Sequence, residues 1–248
     1  MKSFVLAAGL TLAALPSVAF DMSSMSDTER TQFRAEIRSY LLENPEVLME
    51  AIGVLEQRQA EQQVHGDVSL VRANADALFN DGYSFVAGNP DGDITIVEFT
   101  DYRCGYCRKA HPEVKELLES DGNIRLIVKE FPILGEQSVL ASKFAMATLQ
   151  VAGPEAYGMV NDALMSLRGD INGKSLRRMS NGLGIDSDAV MDQMDSPEIE
   201  AMIASNRALA QRLKINGTPS FVFVDQMLRG YVPLKDMQNI VAQLRKDG

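Results

Sequence analysis

The chain has 248 residues, 46% of them hydrophobic, and a formal net charge of -10. That length and composition suit one large globular domain, or a core domain with an appendage, and the acidic balance argues against nucleic acid or an anionic membrane surface as partner. The only two cysteines sit in one run, Cys104-Gly105-Tyr106-Cys107, so there is no disulfide framework to build.

The first residues read as a secretory signal: a basic start at Lys2, an uncharged apolar stretch from Phe4 to Leu15, then Pro16-Ser17-Val18-Ala19 with small residues where a signal peptidase cuts. Cleavage near Ala19 is expected, with residues 1–19 lost and an exported mature chain starting near Phe20. A membrane anchor is the other reading, but the apolar run is shorter than the roughly 20 residues a span needs.

Residues 26–63 are expected to form a helical extension in two pieces, within a segment running from 20 to 66. Ser26 and Glu29 make a capping box, and Phe33, Ile37 and Leu41 repeat on one face. Asn44-Pro45 punctuates, Asn44 capping a second helix that carries Leu48, Ile52 and Leu55. From Glu56 to Gln63 the chain is almost wholly polar, a solvated helix or linker, and His65-Gly66-Asp67 is the expected boundary. A helix over about 68–79 should follow. Asn89-Pro90-Asp91-Gly92 then signals a turn before Ile94–Thr100, a β-branched run that reads as a buried strand. A helix starting near Cys107 and ending near Ser120 leads to a second strand over 124–129, a parallel strand–helix–strand unit. Residues 138–213 show helical patterning broken at glycines, a helical subdomain. Ser220 to Val224 is a strand with a hairpin partner at Met227-Leu228-Arg229 across an Asp225-Gln226 turn, and a helix over 234–244 closes the chain.

A Cys-x-x-Cys pair is a redox dithiol or half of a metal site. Structural zinc takes about four ligands, and beyond the cysteines the chain offers only His65 and His111. The pair sits between a buried strand and a helix, the setting of a redox motif, so no metal and no cofactor are expected. At a helix N-terminus Cys104 faces unpaired N–H groups and the positive end of the helix dipole, which depress its pKa and favour the thiolate that attacks disulfides. Cys107, one turn on and more buried, should resolve the mixed disulfide. Arg103 and His111 are candidates to favour the thiolate, or surface residues. Glu98, between Val97 and Phe99, is costly to bury; the strand's alternation could also point it into solvent. Lys129 could pair with Glu98, sit near the thiols or be solvated. Met22, Met25, Met191 and Met194 could suggest copper handling, but most methionines follow helical spacing and read as core.

Together with Pro112 in the active-site helix, Gly217-Thr218-Pro219 before a strand and the helical insertion, the motif resembles the thioredoxin superfamily and its DsbA-like branch. The resemblance implies an α/β thioredoxin-like fold over 67–248, with a helical insertion at about 138–213 and an N-terminal helical extension. It implies that Thr218-Pro219 is a cis peptide lying against Cys104, with neighbouring backbone free for a substrate strand, and that Glu98 is the acid beneath the resolving cysteine. Asn44-Pro45-Glu46-Val47-Leu48 and Cys-Gly-Tyr-Cys are similar to the suppressor-of-copper-sensitivity C group, whose stalk associates protomers. That likeness implies a periplasmic disulfide isomerase or reductase, a homotrimer through residues 26–63, unfolded or mis-oxidised protein substrates and a membrane thiol reductant as partner. A dithiol oxidase and a non-enzymatic copper-binding or holdase protein are the alternatives.

Overall fold

The computed structural model describes residues 25–247; the expected signal and Met22 lie outside them. The chain divides into two compact units at Arg58 and Gln59. In the first, Ser26 caps α1 (Asp27–Glu43): its hydroxyl accepts from Glu29 N and its own N–H donates to the Glu29 carboxylate. Asn44 closes this helix instead of opening the next, its side-chain amide donating to Tyr40 O at 2.9 Å. No residue of α1 is buried.

Helix α2 (Glu46–Ala73) begins directly after Pro45 and runs unbroken through His65-Gly66-Asp67, where the sequence pattern led to an expected break. A single glycine costs a helix about 1 kcal/mol, and the turns around it are anchored: Asp67 is buried against Arg229 in a two-pronged ion pair at 2.7 and 2.8 Å, and Val71 enters the core. A short helix α3 (Ala75–Phe79) completes the lead-in.

Five strands follow in the order β1-β3-β2-β4-β5: β1 (Phe85–Gly88), β2 (Ile94–Thr100), β3 (Ile124–Glu130), β4 (Ser220–Phe223) and β5 (Gln226–Arg229). β2 and β3 pair in parallel across α4 (Gly105–Asp121), and the remaining pairs are antiparallel. The turn before β2 needs Gly92, because a Cβ there would lie 2.6 Å from Asn123 O. Alternation along β2 and β3 separates two faces. Ile96, Leu126, Val128 and Phe223 pack on α4 and on α9 (Leu234–Asp247); Val97, Phe99, Ile127 and Val222 pack on α2, α3 and α8 (Pro197–Arg212). Each such side chain, fully buried, contributes about 1.5–3 kcal/mol. Between β3 and β4 stand α5 (Glu136–Ser166), α6 (Gly173–Leu183), α7 (Ser187–Gln193) and α8, whose own cluster includes Met194, with Met191 packed against it. No helix among the described residues is long and apolar enough to cross a membrane.

The β4–β5 hairpin turns at Val224-Asp225, one residue earlier than expected, because Phe223 pairs with Gln226. Val224 has φ 58°, a left-handed conformation that a β-branched residue adopts at a cost of about 1–2 kcal/mol. It is 40% exposed, so Val224→Gly loses only part of a core residue's packing. After the extra chain entropy of glycine is subtracted, we expect the substitution to raise stability by about 0.5–1 kcal/mol. A urea midpoint that falls instead would show that the turn is not strained.

Candidate active site

The parallel β2–α4–β3 unit ends β2 at Thr100, and a short loop delivers Cys104 to the N-cap of α4, which starts at Gly105, two residues earlier than the expected start near Cys107. The loop is held by Asp101, which is fully buried. One of its carboxylate oxygens accepts from Arg103 N at 2.8 Å and the other from Ile133 N and Leu134 N at 2.8 and 3.1 Å, tying the segments before α4 and after β3 together.

At the N-cap the Cys104 sulfur accepts from Cys107 N at 3.4 Å, and its thiol donates to Thr218 O at 3.1 Å. Cys104 is held down at about 5, chiefly by the hydrogen bond with the Cys107 thiol, then by the side chain of Thr218 and the N–H groups of Cys107 and Tyr106, against burial, which works the other way. Cys107 is fully buried and pushed far up, as that bond's donor, by burial and by the charge of Glu98. One sulfur is therefore ionised at neutral pH and its neighbour is not. Tyr106, between them, is exposed.

Thr218-Pro219 is a cis peptide, and Thr218 O is the atom that meets Cys104. Glu98 points inward: it is 4% exposed and its carboxyl is raised to about 7, first by burial and then by the charge of Glu130. It lies on the sheet face that packs on α4, the face of Cys107.

Other candidates stand elsewhere. Lys129 is neither solvated nor beside Glu98 or the thiols. The register pairs it with Phe99 on the opposite face, where it is wholly buried and donates to Ala77 O at 2.8 Å and to Asp81. Burial lowers its pKa, with Asp81 opposing. Arg103 donates to Gly169 O, and His111 meets Asp162 at 2.7 Å; neither is among the groups that lower Cys104. The cation that does feel the Cys104 charge is Arg108, whose Nε donates to Tyr102 O. His65 is exposed on α2, and no three His, Cys, Asp or Glu among the described residues are grouped to hold a metal.

A buried network escaped the sequence reading. Glu130, at the end of β3 beside Thr100, accepts from Tyr102 and Tyr157 hydroxyls at 2.7 and 2.6 Å and from Ser142 at 2.7 Å. Burial still raises it to about 7 despite these donors. Its partners come from two separate segments, the loop before α4 and α5, and only the acid at a strand end, matching Thr100 in register, was there to be read.

A thioredoxin family model matches residues 80–243, and a model of the copper resistance protein ScsC N-terminal domain matches residues 29–62. Among solved structures, a thioredoxin-like oxidoreductase from Silicibacter pomeroyi is 44% identical, covering 69% of this chain and 97% of that one with a TM-score of 0.65. The thiol-disulfide exchange protein alpha-DsbA2 from Wolbachia pipientis is 29% identical, covering 74% and 98%, TM-score 0.69. Proteus mirabilis ScsC in a transitional conformation is 27% identical over 90% of this chain and 98% of that one, TM-score 0.64. The first curated sequence relative, a Na(+)/H(+) antiporter NhaA 3 of Salinispora tropica, is 27% identical over 55% of this chain, which spans 21% of that protein's length. With the family model covering most of the chain and the dithiol seated at the start of α4 against Thr218-Pro219, the chain belongs to the thioredoxin family, as a thiol–disulfide exchange protein of the DsbA and ScsC type.

Proposed function

We propose that the protein is exported to the periplasm and works there as a disulfide isomerase or reductase on unfolded or mis-oxidised proteins, copper-oxidised ones included. The Cys104 thiolate attacks a substrate disulfide, forming a Cys104–substrate disulfide and releasing a substrate thiolate. In isomerisation that thiolate attacks another disulfide of the substrate, and a substrate thiolate freed in that exchange attacks the Cys104–substrate disulfide and expels the Cys104 thiolate unchanged. In reduction Cys107 passes its proton to Glu98 and attacks the Cys104 sulfur; the substrate leaves with two electrons, and the Cys104–Cys107 disulfide is reduced again by a membrane thiol reductant. Pro219 has no N–H of its own to offer, and the backbone beside it is taken as the strand on which substrate pairs.

The observation that carries the isomerase reading is the bare apolar face of the first unit. Phe33, Ile37, Leu48, Ile52 and Leu55 are exposed, at helical spacings that put them in rows. A helix with no buried residue and such a row gains by pairing with copies of itself, and we take residues 26–63 to associate protomers as a homotrimer around a shared cleft. Removing residues 20–63 is then expected to give a monomer that oxidises thiols but no longer reshuffles a scrambled disulfide protein. Light scattering that finds the intact mature chain monomeric would count against the trimer. One observation favours a second reading, a dithiol oxidase: a thiolate held near 5 stabilises the reduced pair, and stabilising the reduced form makes the disulfide more oxidising. The redox state of Cys104 and Cys107 trapped in cells separates the two, reduced for an isomerase and oxidised for an oxidase. Loss of disulfide exchange in Cys104→Ser distinguishes both from a copper-binding or holdase protein, whose binding would survive.

A further inference from the structure

Behind the active-site helix, the sheet face that carries Glu98 opens into a cavity of about 320 Å³ bounded by β1, β2, β3, α4 and α5. Phe85, Val114, Leu126 and Val128 make its walls apolar, and two deeply buried polar side chains line it, Glu98 and Asn161. The buried Oδ1 of Asn161 has no hydrogen-bond partner. An unmade hydrogen bond at a buried acceptor costs about 1–3 kcal/mol, so the cavity stores a preference for a donor. The cations at its rim do not supply one: His111 and Lys115 both turn to Asp162, at 2.7 and 2.6 Å. The lining thus includes a carboxyl group and a free amide oxygen among apolar walls, and the volume is at the small end of ligand pockets.

We propose that this cavity binds a small primary amine with an apolar body, the ammonium donating to Glu98 and Asn161 and the body lying against Phe85, Val114, Leu126 and Val128. A carboxylate or phosphate would set anion against two acceptors, and a hydrocarbon would leave Asn161 unpaired. The site rests on the geometry of the cavity and does not require the isomerase reading. It touches the redox centre all the same, since the charge on Glu98 bears on the Cys107 thiol. The required chemistry, an ammonium on an apolar stem, is shared by free amines and by a lysine side chain of a polypeptide.

The test is an NMR titration of the full-length reduced protein with benzylamine, benzyl alcohol, benzoate and N-acetyl-lysine amide. Saturable shifts at the Gly158 and Asn161 amides are expected with an amine and not with benzoate. Glu98→Gln should weaken benzylamine by about tenfold while benzyl alcohol changes by less than about threefold. Gly158 lines the cavity, and a Cβ there would meet only Phe85 Cζ at 3.9 Å, so Gly158→Leu fills the space and should abolish amine binding without altering the reactivity of Cys104. Should that variant fail to fold, Asn161→Leu reads the same contact, with about a tenfold loss expected. Tighter binding of the lysine amide assigns the site to polypeptide side chains and tighter binding of benzylamine to free amines, and both uphold the proposal. Benzoate binding as well as benzylamine, amine binding that survives Gly158→Leu, or no saturation by either amine overturns it.

Discussion

Titrated with an aromatic disulfide probe, reduced wild-type protein is expected to react through Cys104 with a rate that rises to half its plateau near pH 5, while Cys107 stays silent until the chain unfolds. The size of the effect depends on pH. At pH 5 a free cysteine of pKa about 8.5 is some 1,600-fold less ionised than a group titrating at about 5. A weaker base is also a weaker nucleophile, by about fortyfold over this gap at a Brønsted slope of about 0.45. The net advantage of Cys104 is therefore about fortyfold at pH 5, vanishes near pH 7 and reverses above it. An acid-side advantage is the signature of a thiolate held by hydrogen bonds, and a rate profile with its midpoint near 8.5 would remove the physical basis of the site. Cys104→Ser should abolish exchange at every pH, because Cys107 is buried and lacks the donors that lower its neighbour.

What the sequence disclosed about this site follows the range of the interactions involved. The Cys104–Cys107 spacing, the β-branched run of β2 and the apolar alternation of β3 are local, and each was readable in place. The inward direction of Glu98 was only half readable, since alternation assigns a face without saying which face is covered; α4 covers it. The same alternation places Lys129 opposite, yet its partner Asp81 lies 48 residues back in a loop that no pattern marks. Glu130 draws donors from residues 12 to 28 positions away on the loop before α4 and on α5, so its network exists only once α5 is packed. The break expected at His65-Gly66-Asp67 shows the opposite failure: local signals favoured a stop, and the tertiary ion pair of Asp67 with Arg229 overrode them. The cavity behind α4 leaves no trace in the sequence, being a space between five elements.

Glu98→Gln is expected to move stability and turnover in opposite directions. Buried beside Glu130, Glu98 titrates at about 7 in the folded protein against an ordinary value of 4.5. A carboxyl whose folded pKa is raised adds stability in full below its unfolded pKa, and that stability is lost as pH rises through the folded value. Over about pH 4.5 to 7 the wild type should therefore lose on the order of 3 kcal/mol from this group, with Glu130 pulling the same way. Glutamine stays neutral, so the variant should match the wild type near pH 4 and exceed it at pH 8, by a margin approaching that figure less whatever hydrogen bonding the amide loses. Meanwhile the proposed proton acceptor for Cys107 is gone. Release of a trapped Cys104–substrate disulfide should slow by about a hundredfold, the low end for loss of a general base, while the first attack by Cys104 is unchanged. Parallel urea profiles for the two proteins across pH 5 to 8 would mean that Glu98 is not the titrating group. An unchanged release rate would mean that Cys107 gives its proton to something else. If both effects appear, the carboxyl is kept in the core at a cost to folding that rises with pH, because the resolving thiol gives its proton to it.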